Sequence, residues 1–124
     1  MRIAIACNNK KNTAYQLGTA TGFMIFDVVK GKIRNWFYRP LYIPLYWQPS
    51  KKNRKSIGIH QAILRALNGC DKIISFGIGP NLLRKLYKAG IGAFQTNETD
   101  VRNAVELYVE GTLDNNPKLG CDQE

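Results

Sequence analysis

The segment Gly77-Ile78-Gly79-Pro80-Asn81 is the best local candidate for chemistry in this 124-residue chain. It joins a short apolar run, Lys72 to Phe76, to an amphipathic one, so it reads as a strand-to-helix turn. Pro80 suits the first helical position, where a missing N–H costs nothing. A helix start offers unpaired backbone N–H groups and a partial positive charge, and glycines let an anion come close to the main chain. Gly77, Gly79 and Asn81 are therefore candidate anion-binding positions. The plainer reading is that the two glycines only shape a tight turn.

A second candidate is the polar loop from Asn8 to Thr21, which leaves the first predicted strand at Cys7 and supplies Asn8, Gln16, Gly18 and Thr19. In sheets built from βαβ units, ligands sit off the strand ends. That rule would bring Cys7, Gly18 and Gly77 to one crevice.

The thiols are Cys7, Cys70 and Cys121, an odd and widely spaced set with no C-x-x-C, so no disulfide framework is expected. Cys7 and Cys70 are candidate metal ligands, each with a competing reading as a small core residue. Cys121 reads as inert. His60 is the only histidine, which excludes a His-rich site, and it reads as a helix-surface residue. No spacing supplies the four ligands of a closed zinc site.

The formal net charge is +9, and its distribution is uneven. Between Val28 and Cys70 lie nine bases and no acid, whereas the rest of the chain has nine of each. Such asymmetry points to an anionic partner, or to a solvated loop that keeps the protein soluble. Lys51, Lys52, Arg54 and Lys55 are the densest bases and are candidate contacts to an anion or a nucleic acid. Trp36, Tyr38, Tyr42, Tyr46 and Trp47 interleave with this charge. That pattern suits stacking on single strands, but packing of the rings on the sheet is the favoured reading.

The elements that must position these residues follow from hydrophobic period and turn chemistry. Met1–Cys7 is a buried strand. Gly22–Val29 and Lys32–Arg39 form a hairpin about Lys30-Gly31. Three prolines make Pro40–Lys55 a long loop. A helix capped by Ser56 runs to about Asn68 on the stripe Ile59, Ile63, Ala66, Leu67. Lys72–Phe76 is a strand, and Pro80–Ala89 a helix with Leu82, Leu83, Leu86 and Tyr87 facing inward. Ile91–Gln95 is the last strand. Thr96 or Asn97 caps a final helix to Glu110, with Val101, Ala104, Val105 and Tyr108 inward.

The order is β-β-β-α-β-α-β-α: an α/β domain with a mixed five-stranded sheet and three helices on its faces. The domain is expected to span residues 1–113, with residues 114–124 as a flexible tail. The apolar stretches are far shorter than the roughly 20 residues of a membrane span, and the N-terminus is no signal peptide. A cytoplasmic protein is expected. Nuclease chemistry needs clustered carboxylates, yet Met1 to Lys72 holds only Asp27 and Asp71. Neither a P-loop nor a Ser-His-Asp set is present, so the chain reads as a binding protein and not an enzyme.

Met1-Arg2-Ile3-Ala4-Ile5-Ala6, then Leu17-Gly18-Thr19-Ala20 leading into Phe23-Met24-Ile25-Phe26-Asp27, resembles the opening of the dinitrogenase iron–molybdenum cofactor carriers. These include the NifX-type proteins and the C-terminal domain of NifB. The stretch Leu67-Asn68-Gly69-Cys70-Asp71-Lys72-Ile73-Ile74-Ser75-Phe76-Gly77-Ile78-Gly79-Pro80-Asn81 is similar to the family's second signature. Lys88-Ala89-Gly90-Ile91 and the helix to Gly111-Thr112-Leu113 complete the pattern. The resemblance covers roughly residues 1–113 except the loop 40–55.

The resemblance implies a ribonuclease H-like fold and a carrier or chaperone for an anionic metal–sulfur cluster, such as an iron–sulfur or molybdenum-containing nitrogenase cofactor precursor, delivered to a protein acceptor. The family often has His-Phe-Gly-Arg near the first loop, where this chain has Gln16-Leu17-Gly18-Thr19. A histidine ligand and an arginine are thereby missing. The expected function is a non-enzymatic carrier. The rivals are a nucleic-acid-binding module using segment 28–65 and a protein–protein adaptor whose loop docks on an acidic partner.

Overall fold

The computed structural model describes residues 1–8, 13, 20–41 and 56–116. Its elements are β1 (Arg2–Cys7), β2 (Gly22–Val29), β3 (Lys32–Pro40), α1 (Ser56–Ala66), β4 (Lys72–Ser75), α2 (Pro80–Lys88), β5 (Gly92–Gln95) and α3 (Val101–Glu110). The strands form one sheet in the order β3-β2-β1-β4-β5. The three N-terminal strands pair antiparallel, while β1, β4 and β5 run parallel. The expected mixed sheet, element order and three helices are all present.

β1 lies in the middle, and Ile3 to Cys7 are fully buried. A strand covered on both faces has no polar side to show, which is why this run is continuously apolar. Alternation still divides it. Ala4 and Ala6, with Phe23, Ile25 and Ile73, pack under α1 and α2 through Ile63, Leu67, Leu82 and Leu86. Ile3, Ile5 and Cys7, with Met24, Phe26 and Ile74, pack under α3 through Val101, Ala104 and Val105.

The hairpin closes on Lys30 (φ 52°) and Gly31 (φ 77°). Two successive residues at positive φ match the twist of the flanking strands, so the turn expected from Lys-Gly is the one that forms. β3 is an edge strand, and its pairing with β2 shifts register between Asp27 and Val28, a bulge at the hairpin end. On its α1-facing side the Phe37 ring lies 5.3 Å from the Arg2 guanidinium and 5.5 Å from that of Arg39. Arg39 Nη1 donates to the carbonyls of Ala66 and Asn68 at the end of α1. A cation there complements the negative pole of the helix.

Three details differ from the sequence reading. α3 starts at Val101, capped by Asp100, whose carboxylate accepts the Asn103 N–H at 2.8 Å. Thr96 is instead buried at the end of β5. Tyr87 is 64% exposed and not inward: Leu82 and Leu86, four apart, already hold α2 to the sheet. Leu113 is buried in the α3-side core, and the next residues reach β5, where the Asn116 N–H donates to the Gln95 carbonyl at 2.7 Å.

Candidate functional site at the carboxyl edge of the parallel strands

Because β1 and β4 are parallel and adjacent, Cys7-Asn8 and Phe76-Gly77 leave the sheet at the same edge, as do Gln95-Thr96 from β5. The edge is knitted by backbone bonds. The Thr96 N–H donates to the Ser75 carbonyl at 2.9 Å, and the Thr21 N–H to the Cys7 carbonyl at 3.0 Å. Thr21 Oγ1 donates to the Asn8 carbonyl at 2.7 Å, pinching the base of the first loop. Thr13 bridges to Cys7 and donates its N–H to the Thr99 carbonyl at 2.9 Å. The first loop therefore returns to the sheet edge at this residue.

The turn into α2 is set by Gln95, a residue that sequence reasoning placed only as the end of a strand. Its buried side-chain Oε1 accepts the Ile78 N–H at 2.9 Å. The one signal in the sequence is a polar amide closing an apolar strand beside a glycine-rich turn. Gly79 is the N-cap of α2 in extended conformation, no side chain caps the helix, Pro80 follows, and the first turn holds no acid. α3 starts differently. Asp100 caps it, and the Glu98 carboxylate accepts the Asp100 N–H at 3.2 Å. The positive pole of α3 is met by the chain's own carboxylates; that of α2 has no such side chain among the described residues.

Two hydroxyls at this edge, Thr13 Oγ1 and Ser75 Oγ, are buried and have no hydrogen-bond partner among the described residues, whereas buried polar groups are normally satisfied. A cavity of about 330 Å³ also opens beside the edge, lined in part by Thr96, Asn97, Glu98, Asp114 and Asn116. Its two carboxylates make it a poor seat for an anion.

The two candidate thiols are not brought together. Cys7 closes β1 on the α3 side of the sheet, whereas Cys70 precedes β4 on the α1–α2 side. Ile3 pairs with Lys72, so Cys70 lies near the level of Met1, about 20 Å along the strand direction from Cys7. No single ion can reach both. Cys7 Sγ donates to the Gly22 carbonyl at 3.5 Å, and burial pushes its thiol up to about 11. Burial also raises Cys70, partly offset by Arg39 and Arg2. Among the described residues no three His, Cys, Asp or Glu side chains converge as a metal site. Donors for direct ligation of a metal cluster are thus poor here, while donors of hydrogen bonds to an anion are present.

The described bases of segment 28–70 do not gather at this edge. Lys30, Lys32 and Arg34 lie at the hairpin end, level with the start of β1. Arg39 is bound to the carbonyls ending α1, and Arg65 sits in the last turn of that helix. His60 is half-buried with Nδ1 2.9 Å from Lys85 Nζ. Trp36 is 51% exposed, with the Arg102 guanidinium 4.8 Å over its ring. Asn8 and Asn81 are exposed and flank the edge. Gln16, Gly18, Thr19, Tyr42, Tyr46, Trp47, Lys51, Lys52, Arg54, Lys55 and Cys121 lie outside the described residues. No helix among the described residues is long and apolar enough to cross a membrane.

The fold and sequence can be set beside known proteins. An uncharacterised protein of Methanocaldococcus jannaschii is 25% identical over 114 residues, covering 92% of this chain and 90% of the relative. The apo orange protein of Desulfovibrio gigas superposes with a TM-score of 0.70 at 22% identity, over 93% of this chain and 92% of that one. A second Methanocaldococcus jannaschii protein, a dinitrogenase candidate, gives a TM-score of 0.66 at 18% identity, over 94% of each chain. At these identities the likeness to solved structures establishes the fold. The family model for dinitrogenase iron-molybdenum cofactor proteins matches residues 1–111. The chain belongs to the dinitrogenase iron-molybdenum cofactor family.

Proposed function

We propose that this protein is a non-enzymatic carrier that holds an anionic metal–sulfur cluster or nitrogenase cofactor precursor at the carboxyl edge of β1 and β4 and passes it to a protein acceptor. The observation that carries the reading is the start of α2. There a helix pole opens onto the ligand-binding edge of a parallel sheet with no capping side chain and no acid in its first turn. The Gly77–Asn81 turn would hold the cargo through backbone N–H groups. Asn8, Gln16, Gly18 and Thr19 of the first loop would add contacts, and Lys51, Lys52, Arg54 and Lys55 would add charge.

Recognition of this kind is outer-sphere: the cargo keeps its own metal–sulfur bonds and the protein solvates its charge. Cys7 is the one described thiol at this edge, and its raised pKa opposes ligation as a thiolate. The test is anaerobic purification and cluster reconstitution, with iron, molybdenum, copper and sulfide measured in the desalted protein. Stoichiometric uptake is expected, and uptake should persist in Cys70→Ala. Protein that takes up no cluster after reconstitution would refute the carrier role.

A further inference from the structure

We infer that the face built by α1 and α2 is a docking surface for nucleic acid. The helices on the two faces of the sheet differ in charge. From Val28 to Asn97 the chain has thirteen bases and a single acid, Asp71, whose carboxylate accepts the Arg2 N–H at 2.8 Å. α1 carries His60 and Arg65, α2 carries Arg84, Lys85 and Lys88, and neither helix has an acid. On the other face α3 carries Glu106 and Glu110 against Arg102, with Glu98 and Asp100 at its start.

The Lys85–His60 contact at 2.9 Å joins the two basic helices into one patch. Tyr87, 64% exposed, stands on the outer side of α2, one turn from Arg84 and next to Lys88. An acid-free basic face on a domain of pI about 9.7 is the electrostatic footprint of a phosphate backbone. An exposed ring among cations is what stacks on an unpaired base. A lipid surface fits less well. Among the described residues the other exposed large apolar side chains lie elsewhere: Met1 and Val29 at the hairpin end and Trp36 on β3 under Arg102 of α3. The inference does not depend on the carrier role.

The test is fluorescence anisotropy of the full chain with a labelled single-stranded oligonucleotide and its duplex. Arg84→Ala/Lys85→Ala/Lys88→Ala is compared with Lys30→Ala/Lys32→Ala/Arg34→Ala, which removes equal charge at the hairpin. Wild type should bind with an affinity that falls steeply between about 50 and 200 mM salt. The α2 triple variant should lose about tenfold or more and reduce the salt slope by about 3, whereas the hairpin variant should stay within about threefold of wild type. Arg84→Ala/Lys88→Ala, which changes only exposed residues, guards against loss of fold. Tyr87→Ala should weaken single-strand binding more than duplex binding. Absent binding at low salt, equal losses in the two triple variants, or binding to phosphatidylserine vesicles alone would each overturn the proposal.

Discussion

Gln95 Oε1 accepts the Ile78 N–H across the end of the sheet, so the last residue of β5 shapes the turn that opens α2. The bond is buried, and Ile78 is itself 2% exposed. Gln95→Leu leaves that N–H without its acceptor. A loss of about 1–3 kcal/mol is expected from an orphaned buried donor, read as a lower urea midpoint. An unchanged midpoint would show that Gln95 does not set the turn.

Gly79→Asp separates folding from binding. The Gly79 backbone is extended (φ −64°, ψ 154°), a conformation open to L-residues. An aspartate there caps α2 and meets its positive pole, so stability should rise by a few tenths to about 1 kcal/mol. The same carboxylate repels an anionic cargo. A variant that melts higher yet takes up less cluster is the expected outcome; equal uptake would move the cargo away from this turn.

Cys7 gives a pH signature. Its thiol is held near 11 in the folded protein against 9.0 for an ordinary cysteine. The native state therefore keeps its proton more tightly than the unfolded chain. That contribution to stability is complete below about pH 9 and is lost as pH climbs through 11. Wild type should lose stability over this window more steeply than Cys7→Ala, measured by urea unfolding at a series of pH values. Peptide mapping after alkylation at neutral pH should find Cys7 protected until the protein unfolds.

Gly22→Ala tests the packing of β2 on β3. A Cβ at Gly22 would lie 2.2 Å from the Tyr38 hydroxyl oxygen and 2.5 Å from ring carbon Cζ, far inside van der Waals contact. Tyr38 also donates to the Thr21 carbonyl at 3.2 Å, so the ring cannot move away without losing that bond. A cost of about 1–3 kcal/mol is expected for such overpacking. Gly22→Ala/Tyr38→Ala should be less destabilised than the sum of its single variants, the mark of a direct clash.

Much of the fold was legible because local signals agreed with one another. The continuous apolar run of β1, the Lys30-Gly31 turn and Pro80 at a helix start each have one strong structural meaning, and each holds. The start of α3 was less legible. Thr96, Asn97 and Asp100 are all competent caps, and burial of Thr96 at the end of β5 decides between them. Tyr87 fell at the margin of an apolar stripe, where helical period alone does not fix which side faces out. The common edge of Cys7 and Gly77 followed from the general geometry of parallel strands. The partition of the bases did not. Counting along the chain puts Lys30, Arg39 and Arg65 in one segment, whereas pairing and helix direction send them to the hairpin tip, a cap on α1 and that helix's last turn.

The bulged border strand β3 has a further effect on how copies of the protein meet. Another molecule zipping alongside it would set Lys32, Arg34 and Arg39 against the same cations of its neighbour, while the bulge between Asp27 and Val28 bends the rail that such a ladder would have to follow. Like charges and a broken template both discourage open-ended strand addition. The outer flank of β3 is in this way a poor template for edge-to-edge growth.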